Sequence, residues 1–224
     1  MPSNNAVLET ELGSLHQHGI QLIFERIPSS GATMEHVKAM AGNTREAVVR
    51  LAGAGADGLM YACMWTTLVT PPEWERDLAD FARVLAALPF DTAAAALWRA
   101  LRRVDTERLA VLSAYPRKVH EQMCALLHQH GYEVYAEGTL DLKRLEDIRN
   151  LHGWQLLELA EKVLVGAPEA GAPGVICVLG TDVPTLDIVT DLEQMGAVRV
   201  ITSNQAMTSA ALEMLNSGQE TISE

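Results

Sequence analysis

Several things are scarce in this sequence, and each shortage narrows what the chain can be. Cysteine occurs three times in 224 residues, at positions 63, 124 and 177, an odd number with no close pair. A disulfide framework is not expected, and a reducing cytoplasm is the simplest compartment. Basic residues number 17 against 29 acidic ones, for a formal net charge of −12. Phosphate backbones and anionic lipid repel such a chain, so neither nucleic acid nor a membrane surface is an expected partner. No apolar run reaches the roughly 18 residues of a membrane span. The opening Met1-Pro2-Ser3-Asn4-Asn5 has neither the basic nor the apolar region of a signal peptide. A P-loop, a dinucleotide glycine fingerprint, a zinc spacing and a Gly-x-Ser-x-Gly elbow are all lacking. No metal and no common cofactor is therefore expected, which leaves a cofactor-free enzyme or a small-molecule binding module.

What is present is an internal repeat. Leu15-His16-Gln17-His18-Gly19 recurs as Leu127-His128-Gln129-His130-Gly131, shifted by 112 positions. The same shift lays Val7 on Val119, Glu9 on Glu121 and Glu25 on Glu137. Gly55-Ala56-Asp57-Gly58 is echoed by Gly171-Ala172-Pro173-Gly174, and the small-residue segment 92–101 by 204–215. Three echoes in one order point to a duplicated α/β unit.

Each unit reads alike. Residues 6–18 have helical spacing, with Gly19 as the left-handed cap. Residues 20–27 look like a strand, 34–54 like a second helix, and 59–63 like a short buried strand. In the second half 108–113, 132–136 and 175–179 are predicted strands, and 119–129 and 151–165 helices. Alternating strands and helices predict an α/β fold, two pseudosymmetric lobes with a parallel sheet each. The expected first lobe takes residues 1–92 plus 205–224, and the second residues 93–204. By the repeat, strand 108–113 has its counterpart at positions before residue 2. The first lobe is therefore expected to want one strand, with unpaired backbone edges beside it.

Ligands in parallel α/β sheets bind at the carboxyl ends of strands. The loops that qualify hold Ser3 to Asn5, Cys63 to Thr67, Ala114 to Pro116 and Gly180 to Thr185. Cys63 is the candidate nucleophile, because backbone N–H groups of a following turn pull a thiol's pKa down towards neutrality. The alternative is an inert core cysteine, the role expected of Cys124 and Cys177. The His-x-His pairs precede capping glycines and do not share a helix face, so structural roles are expected. Trp74, Trp98 and Trp154 are expected to pack; Trp65, in the Cys63 loop, either walls a pocket or fills the lobe interface. Glu9 and Glu121 suit the positive ends of their helices. Asp182 is expected to cap the helix that follows, or to act as an acid or base.

At these loops the sequence resembles a known family. Pro2-Ser3-Asn4-Asn5-Ala6-Val7-Leu8-Glu9 is similar to its opening PSSNxxxE, and Tyr61-Ala62-Cys63 to its YAC-TSG segment. Ala114-Tyr115-Pro116, Thr185-Leu186-Asp187-Ile188 and Ser203-Asn204-Gln205-Ala206 resemble its TPY, TLDI and SSNQA segments. The family is the maleate isomerase and arylmalonate decarboxylase branch of the aspartate/glutamate racemase superfamily. The resemblance implies a cleft between lobes, no cofactor, a small carboxylate substrate and a homodimer. It makes Cys63 the first of two facing cysteines. Gly180 stands where the second is expected, and Met64 and Trp65 stand where hydroxyls are. Asn5 and Tyr115 match carboxylate-binding positions, helped by the backbone N–H groups of Met64, Trp65, Thr181 and Asp182. The activity implied is cis–trans isomerisation of a small diacid through one cysteine. Alternatives are decarboxylation of a substituted malonate, with Cys63 protonating an enediolate, and a binding protein without chemistry.

Overall fold

A computed structural model of the chain describes residues 1–29, 33–165, 174–196 and 199–220. In chain order the elements are α1 (Leu8–Glu11), a 3-10 helix (Gly13–His18), α2 (Met34–Gly42), α3 (Thr44–Gly53) and β1 (Leu59–Tyr61). A second 3-10 helix (Met64–Leu68) follows, then α4 (Trp74–Ala86), β2 (Phe90–Thr92), α5 (Ala93–Arg102), β3 (Arg108–Ser113) and α6 (Arg117–Gln129). The chain continues through β4 (Glu133–Thr139), α7 (Leu145–Arg149), α8 (Gly153–Val165), β5 (Val175–Leu179), α9 (Val189–Gly196), β6 (Arg199–Thr202) and α10 (Ser203–Glu220).

The larger sheet has the order β4-β3-β5-β6 and is parallel throughout. Its two central strands, β3 and β5, are apolar on both faces, as a sheet covered by helices on both sides requires. Side chains alternate with period two. Leu109, Val111, Val175, Cys177 and Leu179 face α5 and α6, while Ala110, Leu112, Ile176 and Val178 face α8 and α9. The smaller sheet pairs β1 with β2, also in parallel. Thr92 ends β2 and caps α5, its hydroxyl accepting from Ala95 N–H at 3.0 Å.

The predicted strand at 20–27 is not formed; only a bridge between Pro2 and Ile27 remains. Ile27 N–H donates to Met1 C=O and Ser3 N–H to Ile27 C=O, both at 2.9 Å. The reason is pairing. In the second half β4 is held by β3, whereas residues 20–26 have no strand beside them among the described residues. A cavity of about 1120 Å³ lies between residues 20–25 and Leu59 and Met60 of β1, which all line it. An extended segment without a ladder partner is not a β-strand, however apolar.

Other boundaries shift for local reasons. Residues 6–18 divide into α1 and a 3-10 turn, and 34–54 into α2 and α3 at Asn43. β1 ends at Tyr61, because the 3-10 helix starts directly after Cys63. Gly19 and Gly131 take φ of 75° and 89°, as expected of helix-ending glycines. His16 Nδ1 lies 3.0 Å from Ile20 C=O, and His130 stacks on Trp98, so both pairs serve structure. Glu9 pairs with Arg26. Trp74 packs edge-on against Tyr61, but Trp154 does not pack: it is 56% exposed. It opens α8 two residues before buried Leu156, on the face turned from the sheet. The echo at 171–173 lies outside the described residues. Among the described residues no helix is long and apolar enough to cross a membrane.

Candidate active site

Three strand-end loops and the N-terminal segment meet at one small cleft. It is lined by Asn4, Cys63, Met64, Trp65, Tyr115, Ile148, Thr181 and Asp182, and its volume is about 40 Å³. That is room for about three waters by the same measure, too little for a four-carbon diacid without movement of a wall.

Cys63 is half-buried and reaches this cleft, whereas Cys124 and Cys177 are core residues, as expected. Its backbone is extended (φ −157°, ψ 107°) and caps the 3-10 helix Met64–Leu68. The first N–H groups of a helix have no partner inside it, and those of Trp65 and Thr66 favour the sulfur's anion, although no side-chain cap hydrogen bond is formed. The Thr66 hydroxyl does the same. These donors lower the thiol's pKa, but burial outweighs them and the nearby Asp182 carboxylate adds to it, so the thiol lies above its ordinary value. The sequence-based expectation of a thiol drawn down towards neutrality is corrected in that respect: the N–H groups are there, and the cost of desolvating a thiolate is larger. Thr66 is a residue that sequence reasoning left without a role. Its hydroxyl also sits 2.8 Å from Tyr61 Oη, which fixes its rotamer.

Tyr115 faces the same cleft. Burial, with the charges of Asp182 and Cys63, holds its phenol well above the usual range, so it is a donor at physiological pH. Its backbone is pinned at both ends. Tyr115 N–H donates to Ser113 Oγ at 3.3 Å, and Thr139 Oγ1 donates to Tyr115 C=O. Trp65 takes both roles that its position allowed. Its ring lies 6.0 Å from that of Tyr115 in the cleft wall, and its indole N–H points at Met34 Sδ, 2.7 Å away.

Asn5 is buried and fully engaged. Its Oδ1 accepts from Val7 and Leu8 N–H at 3.0 Å, and its Nδ2 donates to Thr181 C=O at 3.0 Å. Thr181 Oγ1 in turn donates to Ala62 C=O at 3.3 Å. Asn5 and Thr181 thus tie together the three chain segments that carry the cleft. Its neighbour Asn4, missed as an individual residue, has a buried Oδ1 with no partner among the described residues. Because the two ends of an amide are assigned rather than seen, Asn4 can present either an acceptor or an NH₂ donor to the cleft.

Asp182 caps nothing: α9 begins only at Val189. It is half-buried beside Cys63 and Tyr115, and desolvation raises its carboxyl above the normal range. Gly180 has φ of 123°, a conformation that side chains rarely adopt. A Cβ there would lie 2.8 Å from Val183 Cγ2 and 3.2 Å from Asp182 Oδ1. A side chain at Gly180, a second thiol included, would be strained and crowded in this loop. The TLDI and SSNQA segments serve as framework. Buried Glu11 of α1, also missed in the sequence, accepts from Thr185 N–H (2.8 Å), Thr185 Oγ1 (2.6 Å), Leu186 N–H (2.9 Å) and Asn204 Nδ2 (3.1 Å).

The site therefore offers one thiol, a neutral phenol, a half-buried carboxyl and backbone donors, closed by a tryptophan. Known proteins share this framework. The chain is 25% identical to the maleate isomerase of Nocardia farcinica over 97% of its own length and 87% of that protein's. It superposes on the crystal structure of a Pseudomonas putida maleate isomerase with a TM-score of 0.84, at 22% identity, over 96% of this chain and 90% of that one. A cysteine-to-serine variant of the Nocardia farcinica maleate cis–trans isomerase, solved with a covalently bound succinylcysteine intermediate, matches with a TM-score of 0.83 at 21% identity, over 96% and 90% of the two chains. A family model described as arylmalonate decarboxylase matches residues 18–224, and this chain belongs to that family.

Proposed function

We propose that this protein is a cofactor-independent isomerase of the maleate cis–trans type, acting on a small dicarboxylic acid through Cys63. The observation that carries the reading is the lone thiol: Cys63 reaches the cleft, and Gly180, next to the cleft residues Thr181 and Asp182, has a backbone in which a side chain would be strained and crowded. Chemistry that needs an acid or base on both faces, as two-base racemisation does, is poorly served. Chemistry that one sulfur starts and finishes is well served.

The fraction of Cys63 that has lost its proton to solvent attacks one alkene carbon as thiolate and forms an S–C bond. The π electrons pass to the neighbouring carbon and into its carboxylate as an enediolate. The former double bond is now single and turns. The electron pair then returns, the double bond re-forms in the trans arrangement, and the thiolate leaves. Nothing is oxidised or reduced. The enediolate carries the charge to be stabilised, and the Tyr115 phenol, kept protonated by its burial, is placed to donate to it. Thr66 and the N–H groups of Trp65 and Thr66 support the sulfur while it is anionic, before attack and after departure.

A second reading is favoured by the raised thiol. A Cys63 that holds its proton suits a decarboxylase of the arylmalonate type. There a substituted malonate loses carbon dioxide, its electrons form an enediolate, and the S–H protonates the carbon. One experiment separates the two: maleate and phenylmalonate are offered in deuterated water and followed by proton NMR. Conversion of maleate to fumarate without deuterium uptake supports the isomerase. A deuterated monoacid with carbon dioxide release supports the decarboxylase. Binding without turnover of either overturns both.

A further inference from the structure

A second group of reactive side chains lies outside the cleft, at the seam between α6 and the edge strand β4. His120 and Cys124 are one helical turn apart on α6 and share a face. Both are buried, His120 completely. His120 Nε2 is 3.6 Å from Cys124 Sγ and 3.8 Å from Glu137 Oε2 on β4. The three atoms all lie within 4.8 Å of one another.

The repeat makes this cluster unusual. At the shift of 112, His120 falls on Leu8, Cys124 on Leu12 and Glu137 on Glu25. Leu8 and Leu12 are buried at 1% and 5%, so the first half carries two leucines at the matching positions, where they border the large cavity. Core packing therefore does not call for an imidazole and a thiol at these positions. Burying them instead costs desolvation that only good partners offset.

The geometry suits a small cation. Bonds of about 2.0–2.3 Å in a tetrahedral site put ligand atoms roughly 3.3–3.8 Å apart. The two measured separations to the imidazole, 3.6 and 3.8 Å, fall in that range. The imidazole is also prepared by a neighbour. Its Nδ1 lies 2.8 Å from Ser113 Oγ; in the tautomer whose Nδ1–H donates to that hydroxyl, Nε2 keeps its lone pair for the other two groups. Ligating histidines are commonly held this way. The imidazole, the thiolate and one carboxylate oxygen make three ligands, borderline-soft in character, with Glu137 partly open to solvent to admit an ion and a fourth, water ligand.

We propose that His120, Cys124 and Glu137 form a binding site for a divalent transition-metal ion of the zinc type, with Ser113 orienting the histidine. The site is structural: it clamps α6 to β4, and through Ser113 it reaches the N–H that positions Tyr115. It takes no part in the chemistry at Cys63.

Cobalt(II) added to the metal-free full-length protein tests it, because a thiolate ligand gives a near-ultraviolet charge-transfer band. One equivalent is expected to bind, with that band present, and zinc is expected to displace it. Cys124→Ala is expected to abolish the band, Cys63→Ala to leave it, and Glu137→Gln, at a half-exposed position, to weaken binding. Ser113→Ala is expected to weaken binding about 10–100-fold. The double variant His120→Leu/Cys124→Leu restores the pair used by the first half, so it is expected to stay folded and to lose all binding. No saturable cobalt binding, or a band that survives Cys124→Ala, or one that Cys63→Ala removes, would overturn the proposal.

Discussion

Thr66→Val removes the one side-chain hydroxyl that favours the Cys63 thiolate while nearly preserving shape. A hydrogen bond to a charged group is worth about 1.5–3 kcal/mol. At 1.36 kcal/mol per pKa unit, its loss raises the thiol's pKa by about one to two units. Below the pKa, the thiolate fraction falls tenfold per unit. Alkylation of Cys63 by iodoacetamide at neutral pH should therefore slow about 10–100-fold, and its pH–rate profile should move to higher pH by the same one to two units. The backbone N–H groups of Trp65 and Thr66 remain, so reactivity is not abolished. Cys124 and Cys177 are buried and contribute little, which Cys63→Ala checks directly. Tyr61 Oη also loses its partner, so some loss of stability accompanies the variant. Thr66→Ser, which restores the hydroxyl, should recover the native profile. A profile in Thr66→Val that coincides with the native one would show that the hydroxyl does not support the thiolate, and the derivation would fail.

Tyr115→Phe should lower kcat by about 100–1000-fold, the usual cost of one lost donor to a developing oxyanion, with little change in melting temperature; an unchanged kcat would remove the phenol from the mechanism. Gly180→Cys should fail to add racemase activity and should destabilise the fold. Left-handed backbone costs about 1–2 kcal/mol for a residue with a Cβ, the contact with Val183 Cγ2 at 2.8 Å adds to it, and a melting point equal to the native one would contradict this. Stability should fall in alkali. Burial pushes the Cys177 thiol up to about 12, so above the unfolded value of roughly 8.5 the unfolded chain releases a proton that the folded one keeps. The contribution is complete below that pH and is lost at about 1.4 kcal/mol per pH unit up to the folded pKa. Denaturant midpoints at pH 8 and pH 10 measure it, and a difference that Cys177→Ala leaves untouched would assign the effect elsewhere.

The fold was largely readable because its main signals are local. β3 and β5 fall at 108–113 and 175–179 as expected, since runs buried on both faces have no competing pattern. Residues 20–27 read as a strand for the same reason, yet a strand exists only in a ladder, and pairing is a long-range property that composition does not carry. At the site, Cys63, Tyr115, Trp65, Thr181 and Asp182 are brought together as the strand-end rule anticipates. The sign of the thiol's shift was not legible, because the N–H groups that lower it are local while the burial that raises it comes from the whole surrounding fold. Glu11 gave no signal either: its four donors come from segments more than 170 residues away. For Thr66 a weak one existed, a hydroxyl within one turn of the candidate nucleophile.

The central claim is that one sulfur atom carries the reaction, and peptide mapping by mass spectrometry after incubation with maleate tests it most directly. The account predicts a succinyl adduct on the peptide holding Cys63, none on those holding Cys124 or Cys177, and neither adduct nor fumarate from Cys63→Ala. Fumarate formed by Cys63→Ala at the native rate would contradict it.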